Sequence, residues 1–292
     1  MSDSLPVKSQ HTGALRPDEF SLIRDIIYRK IGVNLEGKEI LVTSRISKAM
    51  RDLGVTSFEQ YYARLRLDPS GQAMTTMVDA LVTNHTSFFR ENQHFDYLKR
   101  VILPELGSRT AIRIWSAACS SGEEPYSIAI TLIDALRPPE IAKVQILATD
   151  ISLRVLNTAR RGVYPVSRLG SLPSERLRPY MLKGFGVSEG EYMMKKEVRA
   201  LIEFQQINLM EDFSRLGTFS VIFCRNVMIY FDQATQQRLV NCLAARLEPG
   251  GYLLMGHSES LNGINHPLSY LCPATYRKAP IAHRSQKVRS IR

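Results

Sequence analysis

The chain has 292 residues, of which 44% are hydrophobic and 23% are charged, and its formal net charge is +10. This length is sufficient for two domains, or for one α/β domain with an attachment, and the composition is that of an ordinary globular protein. No apolar run approaches the ~20 residues needed to cross a bilayer, and the amino terminus lacks the apolar core of a signal peptide. We therefore expect a cytoplasmic protein.

The cysteines and histidines match none of the spacings that metal or redox sites use, so we expect no metal site. We expect reduced and mostly buried thiols at Cys119, Cys224, Cys242 and Cys272. The positive net charge favours an acidic partner, such as nucleic acid, an anionic membrane or an acidic protein surface. We expect residues 1–15 and the basic tail at 279–292 to be disordered.

Helical periodicity predicts a small helical domain over residues 16–82. Asp18 is expected to cap its first helix, which carries Phe20 and Ile23 on its apolar face. The other helices are predicted at about residues 37–53, from Ser57 to a break at 68–71, and at about 72–82.

The second of these helices has a basic flank, interrupted by Asp52, beside an apolar face. The basic residues are Lys38, Arg45, Lys48 and Arg51. A charged flank is usually a solvated surface, but a docking surface for an acidic helix would have the same pattern. Periodicity alone leaves both interpretations open.

Residues 83–91 read Thr-Asn-His-Thr-Ser-Phe-Phe-Arg-Glu and precede the first predicted strand. The polar side chains beside paired aromatic residues suggest a lid with an apolar underside. Alternatively, Asn84 or Thr86 caps the helix that follows. The residues themselves do not decide between these alternatives.

The next stretch has the order strand, small-residue loop, helix, strand and acid, which is typical of a βαβ nucleotide-binding unit. The strands are predicted at 112–115 and 144–148, the loop at 116–122 and the apolar part of the helix at 128–136. Asp150 stands at the tip of the second strand, where a carboxylate can accept hydrogen bonds from ribose hydroxyls.

The loop differs from the dinucleotide-binding pattern, which has three glycines. It contains Gly122 alone, followed by Glu123 and Glu124, whose carboxylates would repel a pyrophosphate. The unit therefore predicts an adenosine ligand that carries positive charge, rather than NAD. A βαβ unit without a nucleotide is the alternative.

Beyond Asp150 the sequence predicts an inserted helix and hairpin at about 163–201. After this insertion, strands and helices alternate again. Strands are expected at 202–205, 219–224 and 252–255, with a helix at 235–247 and a turn at 248–251. This alternation predicts a doubly wound parallel sheet, whose ligands bind past the carboxyl ends of the strands. Asp150, Asn208, Arg225 and Asn226 all lie at such ends.

Five blocks of sequence occur in order and carry a resemblance to a known family. They are Thr-Asn-His-Thr-Ser-Phe-Phe-Arg, Trp-Ser-Ala-Ala-Cys-Ser-Ser-Gly-Glu-Glu-Pro-Tyr-Ser-Ile-Ala, Ala-Thr-Asp-Ile, Phe-Cys-Arg-Asn-Val-Met-Ile-Tyr-Phe and Leu-Glu-Pro-Gly-Gly-Tyr-Leu-Leu-Met-Gly-His-Ser-Glu. Over roughly residues 16–278 the chain resembles the chemotaxis protein methyltransferases, the CheR family.

The resemblance implies a Rossmann-like, S-adenosylmethionine-dependent methyltransferase domain at 83–278 with a small inserted β-subdomain, and a receptor-docking helical domain at 16–82. The acceptors would be glutamate side chains on the cytoplasmic helices of chemoreceptors. The products would be S-adenosylhomocysteine and glutamate methyl esters that serve chemotactic adaptation. We expect a monomer that binds no nucleic acid and meets membranes only through receptors. A peptide tether at the receptor's carboxyl terminus, which the subdomain grips in some members, cannot be assigned here.

Matching motifs imply the residues of the sites. The donor site would be lined by Asn84, Thr86, Arg90, Glu124, Asp150, Asn208, Leu209, Arg225 and Asn226. Arg90 and Tyr230 would lie nearest the transferring methyl group and act as catalytic residues. The basic residues Lys38, Arg45, Lys48 and Arg51 would dock the receptor.

Two other functions use similar features. A nucleic-acid methyltransferase would also be basic, but many of these enzymes carry an Asn/Asp-Pro-Pro-Tyr/Phe motif where this chain has residues 225–230 without proline. A binding scaffold without activity would keep the fold, although Arg90, Asp150 and Asn226 are all present.

Overall fold

The computed structural model describes residues 15–107, 109–170 and 177–280. They form two compact units, one that extends to Asn84 and includes residues 152–154, and one that contains the rest. The predicted disordered termini fall outside the described residues, except for Leu15, Ala279 and Pro280.

The first unit is helical, as its apolar periodicity predicts. Its helices are α1 (Pro17–Ile31), α2 (Glu39–Asp52), α3 (Phe58–Leu67) and α4 (Gln72–Leu81). Residues spaced three or four apart bury one face of each helix. Ile23 and Ile27 of α1, and Val42 and Ile46 of α2, are completely buried.

The predicted cap at Asp18 is wrong. Helix α1 begins after Arg16, and the Glu19 carboxylate accepts a hydrogen bond of 2.8 Å from the Arg16 backbone N–H. Pro17 occupies the first helical position, where its missing N–H costs nothing. The prediction at Ser57 is confirmed, because its hydroxyl accepts a hydrogen bond from the Gln60 N–H at the start of α3.

The second unit begins with a helical segment that neither Asn84 nor Thr86 caps, so that alternative is wrong. The segment consists of α5 (Gln93–Tyr97), a π-helical turn (Leu98–Ile102) and α6 (Leu103–Leu106). Asn92 precedes the first turn, and its side-chain amide donates to Asp96.

Among the described residues, the second unit has ten strands, of which seven form a central sheet and three form a separate one. The strands in chain order are β1 (Ile112–Ala117), β2 (Val144–Asp150), β3 (Val163–Pro165), β4 (Met181–Lys183), β5 (Glu191–Met194), β6 (Ile202–Gln206), β7 (Phe219–Cys224), β8 (Leu247–Leu254), β9 (Leu268–Cys272) and β10 (Thr275–Lys278). The accompanying helices are α7 (Glu123–Ala135), α8 (Pro138–Ile141), α9 (Leu153–Arg161), α10 (Lys196–Arg199) and α11 (Gln233–Arg246).

The strand order in the central sheet is β6-β2-β1-β7-β8-β10-β9. The first five strands are parallel, and β10 is antiparallel to both β8 and β9. The predicted doubly wound parallel sheet is therefore confirmed, and it carries an antiparallel edge. All six residues of β7 are buried, as expected for a central strand.

The inserted segment forms a separate three-stranded antiparallel sheet in the order β3-β5-β4. The sequence predicted a hairpin and a helix in this segment. The additional strand, Val163–Pro165, was missed, because three residues are too few to show an alternating pattern. We call this element the small sheet.

One local prediction near the end of a strand is wrong. The predicted turn at 248–251 lies inside β8, where the register against β7 shifts and Gly250 has a φ of 76°. The position of Asp150 at the tip of the second strand is confirmed, because it is the last residue of β2 and pairs with Gln206, although the strand runs two residues beyond its predicted end.

The thiols are less uniformly buried than expected. Cys119 and Cys224 are buried, and burial raises the pKa of both thiols well above its ordinary value. Cys242 is exposed and Cys272 is half-buried. Among the described helices, none combines the length and the apolar character that crossing a membrane requires.

Candidate functional site

The carboxyl ends of the parallel strands bring together several predicted site residues. Asp150 ends β2, and Arg225 and Asn226 directly follow β7, two strands away. Asn208 lies two residues past the end of β6. The edge of the sheet where α/β proteins bind ligands is therefore lined by polar and charged side chains.

The loop after β1 is fixed to Asp150. The Ser120 backbone N–H donates a hydrogen bond of 2.8 Å to the Asp150 carboxylate, which is 6% exposed. Ala118 and Ser120 have φ values of 63° and 51°, which non-glycine residues rarely adopt, and Gly122 has a φ of 97°. Such conformations cluster at ligand sites, where the surrounding structure holds them.

A buried arginine connects this region to the segment before the sheet. The Arg225 guanidinium, whose side chain is 1% exposed, lies 2.9 Å from both the Glu124 and the Glu91 carboxylates. It also donates to the backbone carbonyl of Arg90. The second oxygen of Glu124 accepts a hydrogen bond of 2.7 Å from Ser116 at the end of β1.

Burial opposes the charged form of Glu91, but hydrogen bonds from Arg225 and Asn226 and the charge of Arg225 outweigh it. The pKa of Glu91 therefore lies below its ordinary value. Two carboxylates face one guanidinium, so the local charge of this ion-pair cluster is negative.

Two acidic residues of this region had no role in the sequence-based predictions. Glu91 accepts a hydrogen bond of 3.2 Å from the Asn226 side chain. Glu259 accepts backbone hydrogen bonds from Asn226, Met228 and Gly256 at 2.7–2.8 Å. Glu259 ends the last of the five sequence blocks and Glu91 directly follows the first, which was the available signal, but residues 91 and 259 are too far apart in sequence for any spacing argument.

Asn226 itself is held in a left-handed conformation with a φ of 57°. A Cβ atom added to Gly256 would lie 2.4 Å from the Asn226 side-chain nitrogen and 2.9 Å from its backbone nitrogen. Gly256 therefore permits the position that Asn226 adopts beside the Glu91 carboxylate.

The side chains at this edge of the sheet fit a nucleoside ligand that carries positive charge. Asp150 offers a buried carboxylate next to a loop of small residues, which suits ribose hydroxyls. Glu124 adds a negative charge at the start of α7, which suits a cationic amino group and opposes a phosphate. These residues therefore fit S-adenosylmethionine and do not fit NAD.

The other predicted donor-site residues have less specific surroundings. Thr86, Arg90 and Leu209 are half-buried. The Arg90 guanidinium donates to the His85 carbonyl at 3.0 Å, and the Asn208 side chain forms a turn with Met210. The half-buried Asn84 is the last residue of the first unit, before residue 85 begins the second.

Tyr230 is half-buried and ends a 3-10 turn (Met228–Tyr230) that follows Asn226. This turn begins at the Met228 N–H, which donates to Glu259. Tyr230 therefore stands on the segment that Glu259 holds, four residues after Asn226.

The four basic residues predicted to lie on the second helix are not equivalent. Arg45 donates to the carbonyls of Leu81 and Val82 at 2.7 and 3.2 Å, and so it caps the carboxyl end of α4. Lys48 and Arg51 are exposed, whereas Lys38 precedes the helix and is half-buried. Arg45 therefore has a structural role, which periodicity could not reveal.

Among the described residues, one group of possible metal ligands, Glu91, His94 and His257, has atoms within 4.8 Å of one another. The spacing in sequence gave no sign of it. The Arg225 guanidinium already forms an ion pair with Glu91, so a positive charge lies directly beside this group. His94 is 2% exposed, and its ring lies 4.7 Å from that of His257.

His94 should make the protein sensitive to mild acid. Burial, together with the positive charges of Arg225 and His257, lowers the pKa of His94 from 6.5 to about 3, and Glu91 offsets this only in part. The unfolded chain therefore binds a proton below pH 6.5 that the folded protein excludes. The free energy of unfolding should fall by about 1.4 kcal/mol per pH unit below pH 6.5 on this account.

A His94→Phe variant should remove this contribution, so that between pH 6.5 and pH 5 it loses roughly 2 kcal/mol less stability than the wild type. Urea titrations at each pH measure the difference. His85→Gln, which changes an exposed imidazole, should keep the wild-type slope. Equal slopes for His94→Phe and the wild type would contradict the assignment.

Comparison with known proteins identifies the family to which the chain belongs. Residues 18–82 match the model of the CheR methyltransferase all-alpha domain, and residues 84–276 match that of the CheR methyltransferase SAM binding domain. A chemotaxis protein methyltransferase of Borreliella burgdorferi is 41% identical over 270 residues, which cover 89% of this chain and 94% of the relative.

Chemotaxis protein methyltransferase 2 of Pseudomonas aeruginosa is 43% identical, with 90% of this chain and 93% of the relative covered. The chemotaxis protein methyltransferase of Salmonella typhimurium is 38% identical, with 86% of each chain covered. Both units of the structure take part in these matches, and the carboxylates of Asp150 and Glu124 suit S-adenosylmethionine, which is the ligand of the second matched domain. The chain belongs to the CheR methyltransferase family, and S-adenosylmethionine is its methyl donor.

Proposed function

We propose that the protein transfers a methyl group from S-adenosylmethionine to glutamate side-chain carboxylates on the cytoplasmic helices of chemoreceptors, and so forms glutamate methyl esters. The observation that carries this proposal is the match of 89–90% of the chain, including both the helical unit and the sheet unit, to relatives named chemotaxis protein methyltransferases.

The chemistry of the two reactants agrees with a carboxylate acceptor. A glutamate carboxylate is already ionised at pH 7, so its methylation needs no general base. S-adenosylmethionine supplies a methyl group bonded to a positively charged sulfur. Positioning of the two reactants in a pocket sheltered from water then carries most of the catalytic effect.

The chain's own residues have separate tasks in this proposal. Asp150 holds the ribose hydroxyls, and Glu124 faces the amino group of the donor. Arg225 fixes Glu124 through the 2.9 Å ion pair, and Ser116 fixes its other oxygen. The lining of the donor site is completed by Asn84, Thr86, Arg90, Asn208, Leu209 and Asn226.

Arg90 and Tyr230 serve the acceptor. We assign Arg90 to orienting the acceptor carboxylate, because a guanidinium forms paired hydrogen bonds with a carboxylate. Tyr230 shapes the pocket and donates a hydrogen bond from its hydroxyl group. The exposed Lys48 and Arg51, with Lys38, dock the acidic receptor helix, and Arg45 contributes charge while it caps α4.

Replacement of Arg90 by alanine should lower kcat roughly hundredfold to thousandfold, because one positioned charged donor is lost. Binding of S-adenosylhomocysteine should change much less than kcat, since Arg90 lines the donor site but its charge acts mainly on the acceptor. The measurements are initial rates at saturating donor and calorimetric titration of the product. Full turnover in a variant that binds the product normally would remove Arg90 from this role.

The function itself is tested with methyl-tritiated S-adenosylmethionine and membranes that contain chemoreceptors. Alkali should release the label as volatile methanol, because a carboxyl ester is base-labile and a methylated nucleic-acid base is not. The Asp150→Ala variant serves as the inactive control. If a panel of receptors acquires no label while donor binding is confirmed by calorimetry, the proposed acceptor is wrong.

A further inference from the structure

The small sheet contacts the loop that follows β1, and we call residues 118–122 the donor loop. Tyr164 of β3 is 1% exposed, and its hydroxyl donates a hydrogen bond of 2.7 Å to the Ser121 carbonyl. A Cβ atom added to Gly122 would lie 2.9 Å from that hydroxyl and 2.8 Å from the Ala159 side chain. The donor loop is therefore packed tightly against β3 and α9.

A second contact is ionic. Arg168 ends the 3-10 turn (Val166–Arg168) that follows β3. One nitrogen of its guanidinium donates to the Ser121 hydroxyl oxygen at 2.9 Å and to the Glu123 carboxylate at 2.8 Å. The Ser121 hydroxyl in turn donates to the other oxygen of Glu123 at 2.7 Å. Arg168, Ser121 and Glu123 thus form a closed triangle of hydrogen bonds.

The two charges of this ion pair have unequal environments. The Glu123 side chain is 0% exposed, whereas the Arg168 side chain is 47% exposed. A buried carboxylate that loses its cation must move toward water or remain unpaired at a high cost. Movement of Glu123 would displace Ser121 and, next to it, Ser120, whose N–H holds the Asp150 carboxylate.

We propose that Arg168 is a positioning residue, which neutralises Glu123 and thereby holds the donor loop in the conformation that binds S-adenosylmethionine. The small sheet then sets donor affinity without touching the donor. This inference rests on the donor site alone, and it is independent of the nature of the methyl acceptor.

The test is calorimetric titration of S-adenosylhomocysteine into four variants of the full chain, without any receptor. Arg168→Gln should weaken binding by about tenfold, because a charge-assisted hydrogen bond is lost and a carboxylate is left unpaired. The double variant Arg168→Gln/Glu123→Gln should return to within about threefold of the wild type, because its neutral amide no longer needs a cation.

Two further variants separate positioning from a general effect of charge. Arg168→Lys keeps the positive charge and N–H donors, so it should recover part of the lost affinity. Lys183→Gln removes an exposed charge from β4 of the same small sheet and should bind like the wild type. Urea titration of each variant measures whether the fold is retained.

Unchanged affinity in Arg168→Gln would overturn the proposal. Equal weakness of the single and double variants would also overturn it, because Arg168 would then act on the donor directly rather than through Glu123. A lysine variant as weak as the glutamine variant, or a Lys183→Gln variant equally weakened, would count against it in the same way. Failure of receptor methylation would leave all of these results unaffected.

Discussion

Replacement of Arg225 by methionine should lower the free energy of unfolding of the sheet unit by about 3–5 kcal/mol, because it leaves two carboxylates, which are only 16% and 12% exposed, without their cation. Glu91 and Glu124 both lie 2.9 Å from the guanidinium, which is 1% exposed. A urea titration followed by the fluorescence of Trp115 measures the change. Trp115 is the only tryptophan of the chain and lies fully buried on β1.

Arg215→Met is the matched control, because Arg215 is exposed, and it should change stability by less than about 0.5 kcal/mol. Adding Glu124→Gln to the Arg225→Met variant should recover part of the loss, since one unpaired carboxylate is removed. A loss below about 1 kcal/mol in Arg225→Met would mean that the carboxylates obtain water or protons without disturbing the fold.

Replacement of Asp150 by alanine should weaken binding of S-adenosylhomocysteine by roughly several hundredfold. Two charge-assisted hydrogen bonds to ribose hydroxyls would be lost, each worth about 1.5–3 kcal/mol. The Ser120 N–H would lose its acceptor as well, so the donor loop would be less well held. Calorimetric titration of the purified variant measures the affinity.

Asp150→Asn keeps one side-chain carbonyl oxygen as an acceptor, so we expect a smaller loss of about tenfold. Glu203→Gln changes an exposed residue on the neighbouring strand β6, and it should bind like the wild type. If Asp150→Ala bound the product within fivefold of the wild type, the ribose assignment would be incorrect.

Periodicity predicted the main elements of both units well, because each apolar pattern can be buried by only one type of secondary structure. Strand β7 was placed at its observed bounds, and the four helices of the first unit were placed within about two residues. The errors occur where one contact decides the outcome. Glu19 rather than Asp18 bonds the backbone before α1, and a register shift extends β8 back to Leu247.

The residues at the strand ends were predictable, whereas their partners were not. Asp150 and Arg225 follow from the rule that ligands bind past the carboxyl ends of parallel strands. The ion pair between Arg225 and Glu91 joins residues 134 positions apart, and that between Arg168 and Glu123 joins residues 45 apart. No spacing in a single sequence encodes such pairs.

The position of β10 has a consequence for the order in which the chain folds. β10 follows β9 in the chain but lies between β8 and β9 in the sheet. During synthesis, β8 and β9 therefore keep unpaired edges until residues 275–278 have left the ribosome. Exposed strand edges are templates for aggregation. Nascent chains that stall before residue 275 should consequently need protection by chaperones, although every other strand of the sheet has already been made.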